Sequence, residues 1–555
     1  MPASPIPRRE SLLTLAGCAG LSFVAIAWSW RHHALLNYGD AVAHLNIARR
    51  VFDSRIPRFS ELGSVWLPLP HILMIPFVQV YSWWANGIAG VIPSALAYLA
   101  ACLGLYRLAH IWLASAPAVV ALAFFALNPN LLYLQTTAMT EPLFLCEMVW
   151  LALWMVEFRN GLTVTPDTRY PIPQTRLNSD SRKKLLAIAL VLVAAIFTRY
   201  DGWIMALLAW TGIGLLLLRR GLLRSRAFWL ASVLVGAAPI FWFAYNATAF
   251  HDWLYFARGP YSAAAIEVRT SAPGFPPHPG WHNPWVSLIF FVKCAELDAA
   301  PVGCGTFLLL TTIFGAAWSW LTARRQAVSW AILLLWFPVP FYAYSISFGS
   351  VPIFLPIWWP HSYYNLRYGL ELLPAFALAI GFAAQFALAV VREFKPRLLG
   401  RPWQTRAIVV LLALCLINSL QMLRERPPVY VEGTKNIQAH RPYELAIPPV
   451  LRTLLATRPG APLLTITSLD PEIIARTGIP LRQTINESDL WIYDAALADP
   501  ASHAALILAF DGDDVDRAVH AHPEHLTVVQ RFTAPWQPAA TIYASDSPSR
   551  AASPN

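Results

Sequence analysis

The sequence predicts an α-helical polytopic membrane protein with about eleven transmembrane helices and a small C-terminal α/β domain outside the cytoplasm. Hydrophobic residues fill 57% of the 555 positions and charged residues only 13%, which is too apolar for a soluble globule of this length. Apolar runs long enough to cross a membrane recur from residue 12 to residue 423. The composition then changes, because residues 427–555 carry 14 of the 31 acidic residues but only 9 of the 41 basic ones.

This change predicts a transmembrane module over residues 1–426 and an extracytoplasmic domain over residues 427–555. The predicted spans are, in chain order, 12–30, 88–109, 115–138, 141–158, 184–199, 203–218, 228–247, 302–321, 327–347, 367–391 and 405–423. Cytoplasmic loops are enriched in Lys and Arg, so basic clusters test these spans. The clusters all fall on one side, at Arg8–Arg9, Arg107, Arg159 to Lys184, Arg219 to Arg226, Arg324–Arg325 and Arg392 to Arg406. The amino terminus is therefore predicted to be cytoplasmic and the C-terminal domain extracytoplasmic.

Residues 66–84 are apolar enough to cross the membrane, but an additional crossing would invert every later loop. Three prolines and His71 argue against a simple span and favour an interfacial or re-entrant segment. The alternative is that residues 110–138, with Asn128-Pro129-Asn130 in the middle, make two short crossings. Because each additional crossing inverts the side of every later loop, the predicted topology allows the extra crossing at 66–84 and the extra crossing within 110–138 together, or neither of them.

The outer segments are then 31–87, the tips at 139–141 and 199–203, 248–301, 348–366 and 424–555. Short apolar runs in the last segment predict strands at Leu463–Thr467, Ile507–Phe510, Leu526–Phe532 and Thr541–Ala544. Helical stretches are predicted at 471–477 and 514–521. The run Asp511-Gly512-Asp513-Asp514 favours a turn and a helix N-cap over a metal site, because no EF-hand spacing follows it.

Charged residues on the outer side, close to the membrane, are the candidates for chemistry, because burying such groups without a partner is expensive. Asp40 follows the first predicted span, in the run Asn37-Tyr38-Gly39-Asp40. If a helix starts there, Asp40 and His44 are four residues apart and share a face. The alternative is that Asp40 only caps an interfacial helix.

Two further polar turns lie at the outer ends of predicted spans. Thr140-Glu141-Pro142 starts a helix and places a carboxylate at its amino terminus, where the helix dipole alone would also favour an acid. Arg199-Tyr200-Asp201 joins two spans, and its charges are open to a second interpretation as a local surface ion pair. The topology favours function because it places all these groups on one side.

A late arginine, Arg367, lies at the outer mouth of the predicted span 367–391. Together with Arg199 and Arg258 it is able to hold a phosphate or diphosphate group through charge-assisted hydrogen bonds. A structural arginine at a headgroup boundary is the alternative for each. His361 and the preceding Trp358–Trp359 form either part of an aromatic belt, which we favour, or a wall facing a sugar.

These motifs together resemble the GT-C superfamily of membrane glycosyltransferases, particularly the bacterial relatives of the protein O-mannosyltransferases and the lipid A aminoarabinose transferase. The resemblance spans residues 12–375 and rests on the order and common sidedness of Asp40, Thr140-Glu141-Pro142, Thr198-Arg199-Tyr200-Asp201 and Asn365-Leu366-Arg367-Tyr368. The C-terminal domain matches no part of that pattern, and docking of the acceptor is its hypothetical role.

The resemblance implies an inverting transfer of a monosaccharide from a polyprenyl-phosphate donor to an acceptor on the extracytoplasmic face, in a bacterial inner membrane. Asp40 would be the catalytic base and Glu141 would orient acceptor or sugar. Arg199, Arg367 and Arg258 would bind the donor phosphate. His44, Tyr200, Asp201 and His361 would contact acceptor or sugar. Mannose is the default sugar, and protein, lipid or glycan remain open as acceptors.

One departure from the superfamily concerns the first outer loop, where many relatives carry two adjacent acids and this chain has Asp40 followed by Ala41. Asp40, His44 and Glu141 would be the only obvious ligands for a divalent metal. We therefore expect no metal and no other cofactor. Nucleic acid is not expected as a partner.

Two rival functions stay open at this stage. An oligosaccharyl or polymer ligase would use a lipid-diphosphate donor on the same architecture, and Arg31, Arg49, Arg50, Arg55 and Arg58 would supply additional positive charge. Those arginines equally suit contact with anionic headgroups. A transporter of lipid-linked sugars is less favoured, because the sequence shows no internal repeat and its distinctive charges lie at the outer interface.

Overall fold

The computed structural model of the protein describes residues 8–162, 165–167, 174–270, 276–323, 330–394, 401–467, 472–535 and 537–546. Within these ranges, six helices have the length and hydropathy needed to cross a membrane, and four shorter apolar helices accompany them. A five-stranded sheet lies near the C-terminus. The predicted fold class is thereby confirmed, whereas the count of eleven spans stays a prediction. Arg324–Arg325 and the first residues of the predicted span 327–347 lie outside the described residues.

The helices and strands are numbered in chain order. The first half contains α1 (Arg8–Arg31), α2 (Gly39–Arg50), α3 (Leu69–Val78), α4 (Tyr81–Asn86), α5 (Ile88–His110), α6 (Ser115–Ala126), α7 (Pro129–Leu134), α8 (Glu141–Asn160), β1 (Thr165–Asp167), β2 (Gln174–Arg176), α9 (Ser179–Thr198), α10 (Asp201–Arg219), α11 (Arg226–Phe250), α12 (Tyr255–Arg258) and α13 (Ala263–Thr270). The second half contains α14 (Pro284–Ala299), α15 (Gly305–Ala323), α16 (Trp330–Leu333), α17 (Pro338–Phe348), α18 (Leu373–Phe394), α19 (Arg401–Glu425), α20 (Pro428–Ala456), β3 (Leu463–Thr465), α21 (Glu472–Thr477), β4 (Thr484–Ile485), α22 (Trp491–Ala498), α23 (Pro500–His503), β5 (Leu506–Phe510), α24 (Asp514–Ala521), β6 (Leu526–Phe532) and β7 (Ala540–Ser545). Short 3₁₀ helices occupy Phe59–Leu62, Leu334–Trp336, Leu366–Leu372 and Leu481–Gln483.

Each predicted span coincides with one helix or with a broken helix. The span 115–138 is broken because Asn128 ends one segment and caps the next, its side chain accepting from the backbone N–H of Leu131. The span 367–391 starts as a 3₁₀ helix and continues as α18. Residues 66–84 form α3 and α4, of 10 and 6 residues, and neither is long enough to span a bilayer alone.

The predicted outer loop 248–301 contains a helix that the sequence pattern did not indicate. Helix α14 has 16 residues, and its amino end is capped by Asn283, which accepts from the N–H of Val286. Buried residues follow one another along its last turns, from Cys294 to Ala299. It packs against α17 and against the 3₁₀ helix Leu366–Leu372. This loop therefore helps to support the segment that carries Arg367.

The C-terminal sheet has the strand order β4-β3-β5-β7-β6. Strand β3 is parallel to β4 and β5, while β7 is antiparallel to β5 and β6. The four strands and two helices predicted in this region are confirmed, apart from small shifts at their ends. Asp513 caps α24 by accepting from the N–H of Asp516, and Gly512 has a φ of +85°, so the predicted turn and N-cap are also confirmed.

Helix α20 connects the transmembrane module to the C-terminal sheet. Near its start, the Tyr38 hydroxyl donates to the Val429 carbonyl at 2.7 Å. Further along, the Tyr443 hydroxyl donates to the Pro538 carbonyl beside the sheet at 2.6 Å. The amino-terminal turns of α20, although they follow the predicted boundary at residue 426, pack into the transmembrane module.

Candidate active site

Arg367 lies at the centre of the site and binds carboxylates from three distant segments. Its Nε donates to Glu141 Oε1 at 3.1 Å, and its Nη1 donates to Glu432 Oε1 at 3.0 Å. Its Nη2 donates to Asp40 Oδ2 at 2.7 Å. A guanidinium carries five N–H groups in a rigid fork. Two of those of Arg367 therefore remain open among the described residues.

The backbone that carries Arg367 is held by Glu432 of α20. The two carboxylate oxygens of Glu432 accept from the N–H groups of Asn365 and Leu366, each at 2.9 Å. Asn365 adopts a φ of +56°, and the 3₁₀ helix begins at the next residue. The first N–H groups of a helix lack partners within it, so a carboxylate is favourable there. Glu432 consequently fixes both the arginine and the turn that presents it.

Arg199 lies between α9 and α10, and oxygen atoms of the described residues surround its guanidinium group. It donates hydrogen bonds of 3.0 to 3.2 Å to Asp201, Thr140, Glu141 and Tyr342, and its Nη2 forms an ion pair with Glu371 Oε1 at 3.2 Å. A surface ion pair with Asp201 was one interpretation of the sequence. The pair is instead part of a buried network, because the Asp201 side chain is only 2% exposed.

The two arginines share a carboxylate oxygen and an aromatic ring. Glu141 Oε1 accepts from Arg199 and from Arg367, at 3.1 Å in each case. The Cζ atom of each arginine lies 5.0 Å from the centroid of the Tyr368 ring. A cation over a ring face gains about 0.5–1 kcal/mol when exposed and more when desolvated. Both guanidinium groups are therefore held by one network of side chains, which we call the carboxylate–guanidinium frame. It consists of Arg199 and Arg367 with Asp40, Glu141, Asp201, Tyr342, Glu371 and Glu432.

Asp40 differs from the other acids of this frame in its exposure. Its side chain is 43% exposed, against 6% or less for the side chains of Glu141, Asp201, Glu371 and Glu432. Five carboxylates thus face two guanidinium groups, a formal charge of −3 if every acid is ionised. Of the five, Asp40 is the acid that a substrate arriving from outside can reach.

Helix α2 presents Asp40 in its first turn. The N-cap of this helix is Tyr38, so Asp40 is a first-turn acid rather than the cap. Asn436 of α20 accepts from the N–H of Gly39 at 3.0 Å, next to Asp40. The start of α2 is therefore fixed by the same C-terminal helix that holds Arg367.

His44 pairs with His71 and makes no hydrogen bond with Asp40, although a shared helix face was predicted for the two. Its Nδ1 lies 2.8 Å from His71 Nε2, and its ring packs on Trp66 with the centroids 4.7 Å apart. Burial lowers the pKa of His44 to about 4, even though Asp40 and Glu141 nearby act to raise it. His44 is therefore neutral at physiological pH and is not placed to tune Asp40 directly.

Three predicted site residues lie outside the carboxylate–guanidinium frame. The Tyr200 hydroxyl donates to the Ser64 carbonyl at 3.3 Å, and its ring stacks on Phe256 of α12. Arg258 is exposed at the end of α12. His361 is exposed as well, with its Nδ1 3.2 Å from the Pro356 carbonyl. The structure brings together Asp40, Glu141, Arg199, Asp201 and Arg367, and leaves these three apart.

Sequence reasoning missed Glu432, Glu371 and Tyr342, which complete the frame. Tyr342 donates to Glu371 Oε1 at 2.6 Å, and both contact Arg199. Glu371 offered a signal, because an acid four residues after Arg367 in an apolar span is expensive without a partner. Glu432 offered none, since it follows the last predicted span by nine residues and looks like a surface acid.

The acids that were considered as metal ligands are engaged with arginine. Asp40 and Glu141 both accept from Arg367, while His44 faces His71. Within the described part of the chain, no group of three or more His, Cys, Asp or Glu side chains is arranged to hold a metal ion.

Comparison with known proteins identifies the fold. No protein-family model matches the sequence, and no curated protein matches it. ArnT from Cupriavidus metallidurans, crystallised bound to undecaprenyl phosphate, aligns over 96% of this chain and 97% of its own, with 16% identity and a TM-score of 0.57. Its apo structure aligns over 95% and 98%, with 16% identity and a TM-score of 0.51. The oligosaccharyltransferase AglB from Archaeoglobus fulgidus aligns over 97% of this chain and 75% of its own, at 12% identity and a TM-score of 0.46. The chain has the fold of ArnT, so the fold that the predicted resemblance implied is confirmed.

Proposed function

We propose that this integral membrane protein is an inverting glycosyltransferase that moves a monosaccharide, by default a hexose, from a polyprenyl-phosphate donor to an acceptor on the extracytoplasmic face. The observation that carries the proposal is Asp40, a half-exposed carboxylate bound to an arginine that buried acids hold in place. Undecaprenyl phosphate, the lipid bound to ArnT, is a polyprenyl phosphate, which supports the donor class. The arginine pattern favours a cytoplasmic amino terminus, and the resemblance implies a bacterial inner membrane.

Asp40 acts as the general base in this proposal. The acceptor hydroxyl oxygen attacks the anomeric carbon, its proton passes to the Asp40 carboxylate, and the bond from that carbon to the phosphate oxygen breaks. Polyprenyl phosphate leaves with the electron pair, and a single displacement inverts the anomeric carbon. A positioned base of this kind contributes about 10²- to 10⁴-fold to a rate.

Arg367 stabilises the leaving group. Negative charge grows on the phosphate in the transition state, and donors already aimed at that position need no reorganisation. The two open N–H groups of Arg367 supply such donors beside Asp40. Arg199, which donates to four side chains of the protein, acts with Glu141 as a positioning residue. The resemblance instead implied a phosphate contact for Arg199 and a substrate contact for Glu141.

The first experiment uses the purified protein in lipid with a panel of radiolabelled polyprenyl-phosphate monosaccharides. We expect sugar release from one donor, and a loss of about 10²- to 10⁴-fold in Asp40→Asn, because asparagine keeps the shape but not the basicity. Asp494→Asn, at an exposed acid of α22, is the matched control and should keep full turnover. Equal thermal stability of the three proteins verifies that folding is unchanged.

Two results would contradict this proposal in different ways. Equal turnover of Asp40→Asn and wild type would leave Asp40 as a first-turn acid of α2 with no catalytic role. Consumption of a lipid-diphosphate oligosaccharide, without turnover of any monophosphate donor, would establish the ligase alternative.

Acceptor docking remains the proposed role of the C-terminal domain. Deleting residues 427–555 would not test it, because the deletion also removes Glu432 and Asn436 from the site. Substitutions on the sheet that leave α20 intact separate the two effects. Full transfer to the natural acceptor after replacement of the exposed Val528 and Val529 of β6 would argue against docking on that strand.

A further inference from the structure

The site, as its side chains are arranged, offers few free positive charges to a donor phosphate. Arg199 donates to four side chains and forms an ion pair with Glu371, and Arg367 uses three of its five N–H groups, while five carboxyl groups surround the pair. The phosphate of the donor is a diester with one negative charge, and the polyprenyl phosphate that leaves is a monoester with up to two at neutral pH. A further cation with open donors would offset the repulsion between this growing charge and the acid-rich frame.

The amino-terminal turns of α20 are held against the site at three points. The Val429 carbonyl accepts from the Tyr38 hydroxyl, the Glu432 carboxylate binds Arg367, and the Asn436 side chain accepts from the Gly39 N–H. Residues three and four apart on a helix are neighbours on its surface, about 5–6 Å apart at Cβ. Glu432 and Asn436 thus define the face of α20 that is turned toward Arg367 and Asp40.

Lys435 lies at the edge of that face, three residues after Glu432 and directly before Asn436. Its side chain is exposed, and its Nζ lies 4.5 Å from the centroid of the Tyr363 ring, four residues before Arg367. It makes no ion pair with any described carboxylate. An ammonium on a flexible stem with three rotatable donors suits a phosphate that must arrive and leave.

We propose that Lys435 binds the phosphate group of the polyprenyl-phosphate donor and stays on it as polyprenyl phosphate leaves. This inference rests on the proposed function and adds to it a phosphate ligand from the C-terminal segment. The lysine compensates the excess of carboxylates around Arg367. It also makes α20 a part of the donor site in addition to a link to the sheet.

The carrier lipid itself is the probe, because undecaprenyl phosphate is the same whichever sugar the donor bears. Binding is measured on the full chain in phosphatidylcholine nanodiscs, with undecaprenol, which lacks the phosphate, as the reference ligand. We expect Lys435→Gln to weaken binding of undecaprenyl phosphate about tenfold or more and to leave undecaprenol unchanged. Lys435→Arg should retain most of the affinity. Arg441→Gln removes an exposed cation from the same helix and should match wild type.

The outcomes separate this inference from the proposed function. If wild type does not prefer undecaprenyl phosphate over undecaprenol, both fail. If wild type prefers it and Lys435→Gln binds equally well, only the role of Lys435 is overturned. Anionic headgroups are the other source of phosphate at this position. If adding phosphatidylglycerol abolishes the difference between wild type and Lys435→Gln, the lysine is a headgroup ligand and the proposal is wrong.

Discussion

Arg199 and Arg367 lie over the same tyrosine ring and share one oxygen of Glu141, yet their surroundings differ. Arg199 donates hydrogen bonds to four side chains of the protein and forms an ion pair with Glu371. Arg367 keeps two N–H groups open among the described residues and binds Asp40, the one half-exposed acid of the frame. Although each arginine is followed by a tyrosine in the sequence, the two have different roles: Arg199 holds the buried carboxylates in place, and Arg367 faces the substrate.

The largest effect should follow from removing the framework arginine. Arg199→Gln leaves the buried carboxylates of Glu141, Asp201 and Glu371 short of a cation, and breaking a buried ion pair from one side costs about 3–5 kcal/mol. We expect a large fall in the thermal unfolding midpoint and in the yield of monodisperse protein. Arg224→Gln, on the predicted cytoplasmic side, is the control. An unchanged unfolding midpoint in Arg199→Gln would contradict the assignment of Arg199 as the arginine that stabilises the buried carboxylates.

Removing the other arginine should affect turnover more than stability. In Arg367→Gln, Glu432 keeps two backbone donors and Glu141 keeps Arg199, so fewer charges lose their partners. Loss of one donor to a developing oxyanion costs about 10²- to 10³-fold in kcat. We expect a loss of that size at saturating donor, with a smaller stability change than in Arg199→Gln. The reverse order of the two stability changes would contradict the assignment.

Helix α2 carries the half-exposed Asp40 and also the buried His44, and the burial of His44 should make the stability of the protein depend on pH. The unfolded chain protonates His44 near pH 6.5, whereas the folded chain resists until the pKa of about 4. The stability that this difference contributes, about 3 kcal/mol, is present above about pH 6.5 and is lost as the pH falls toward 4. As the pH falls from 6.5 to 4, the thermal unfolding midpoint should fall less steeply in His44→Gln than in wild type. Identical slopes in the two proteins would contradict the burial of a neutral His44.

The smallest effect concerns the acid that positions Arg367. Glu432→Gln keeps one acceptor for the backbone of residues 365 and 366 but removes the charge beside the guanidinium. We expect kcat to fall about tenfold with little change in KM, since one charge-assisted hydrogen bond is worth about 1.5–3 kcal/mol. Glu444→Gln, at a buried acid of the same helix that pairs with Arg476, should leave kcat unchanged. Equal kcat and KM values for Glu432→Gln and Glu444→Gln would contradict a role of Glu432 in positioning Arg367.

The helices at the predicted spans, the C-terminal strands and the helix starts near Asp40 and Glu141 were predictable from the sequence, because hydrophobic period, prolines and first-turn acids act locally. Loop charges alone also predicted Glu141, Arg199 and Arg367 on one side, and the structure places the three side chains in contact. Glu432 was not predictable in this way, because its partner Arg367 is 65 residues away and the pairing depends on how α20 enters the module. The pairing of His44 with His71 shows a tertiary contact overriding the local spacing that pointed to Asp40.

The most direct test of the division between the two arginines is a cryo-EM structure in lipid with undecaprenyl phosphate bound. We predict the phosphate within hydrogen-bond distance of the Arg367 guanidinium, with the contacts of Arg199 to Asp201, Glu141 and Glu371 unchanged. A phosphate bound by Arg199, with one of those carboxylates released, would contradict this division.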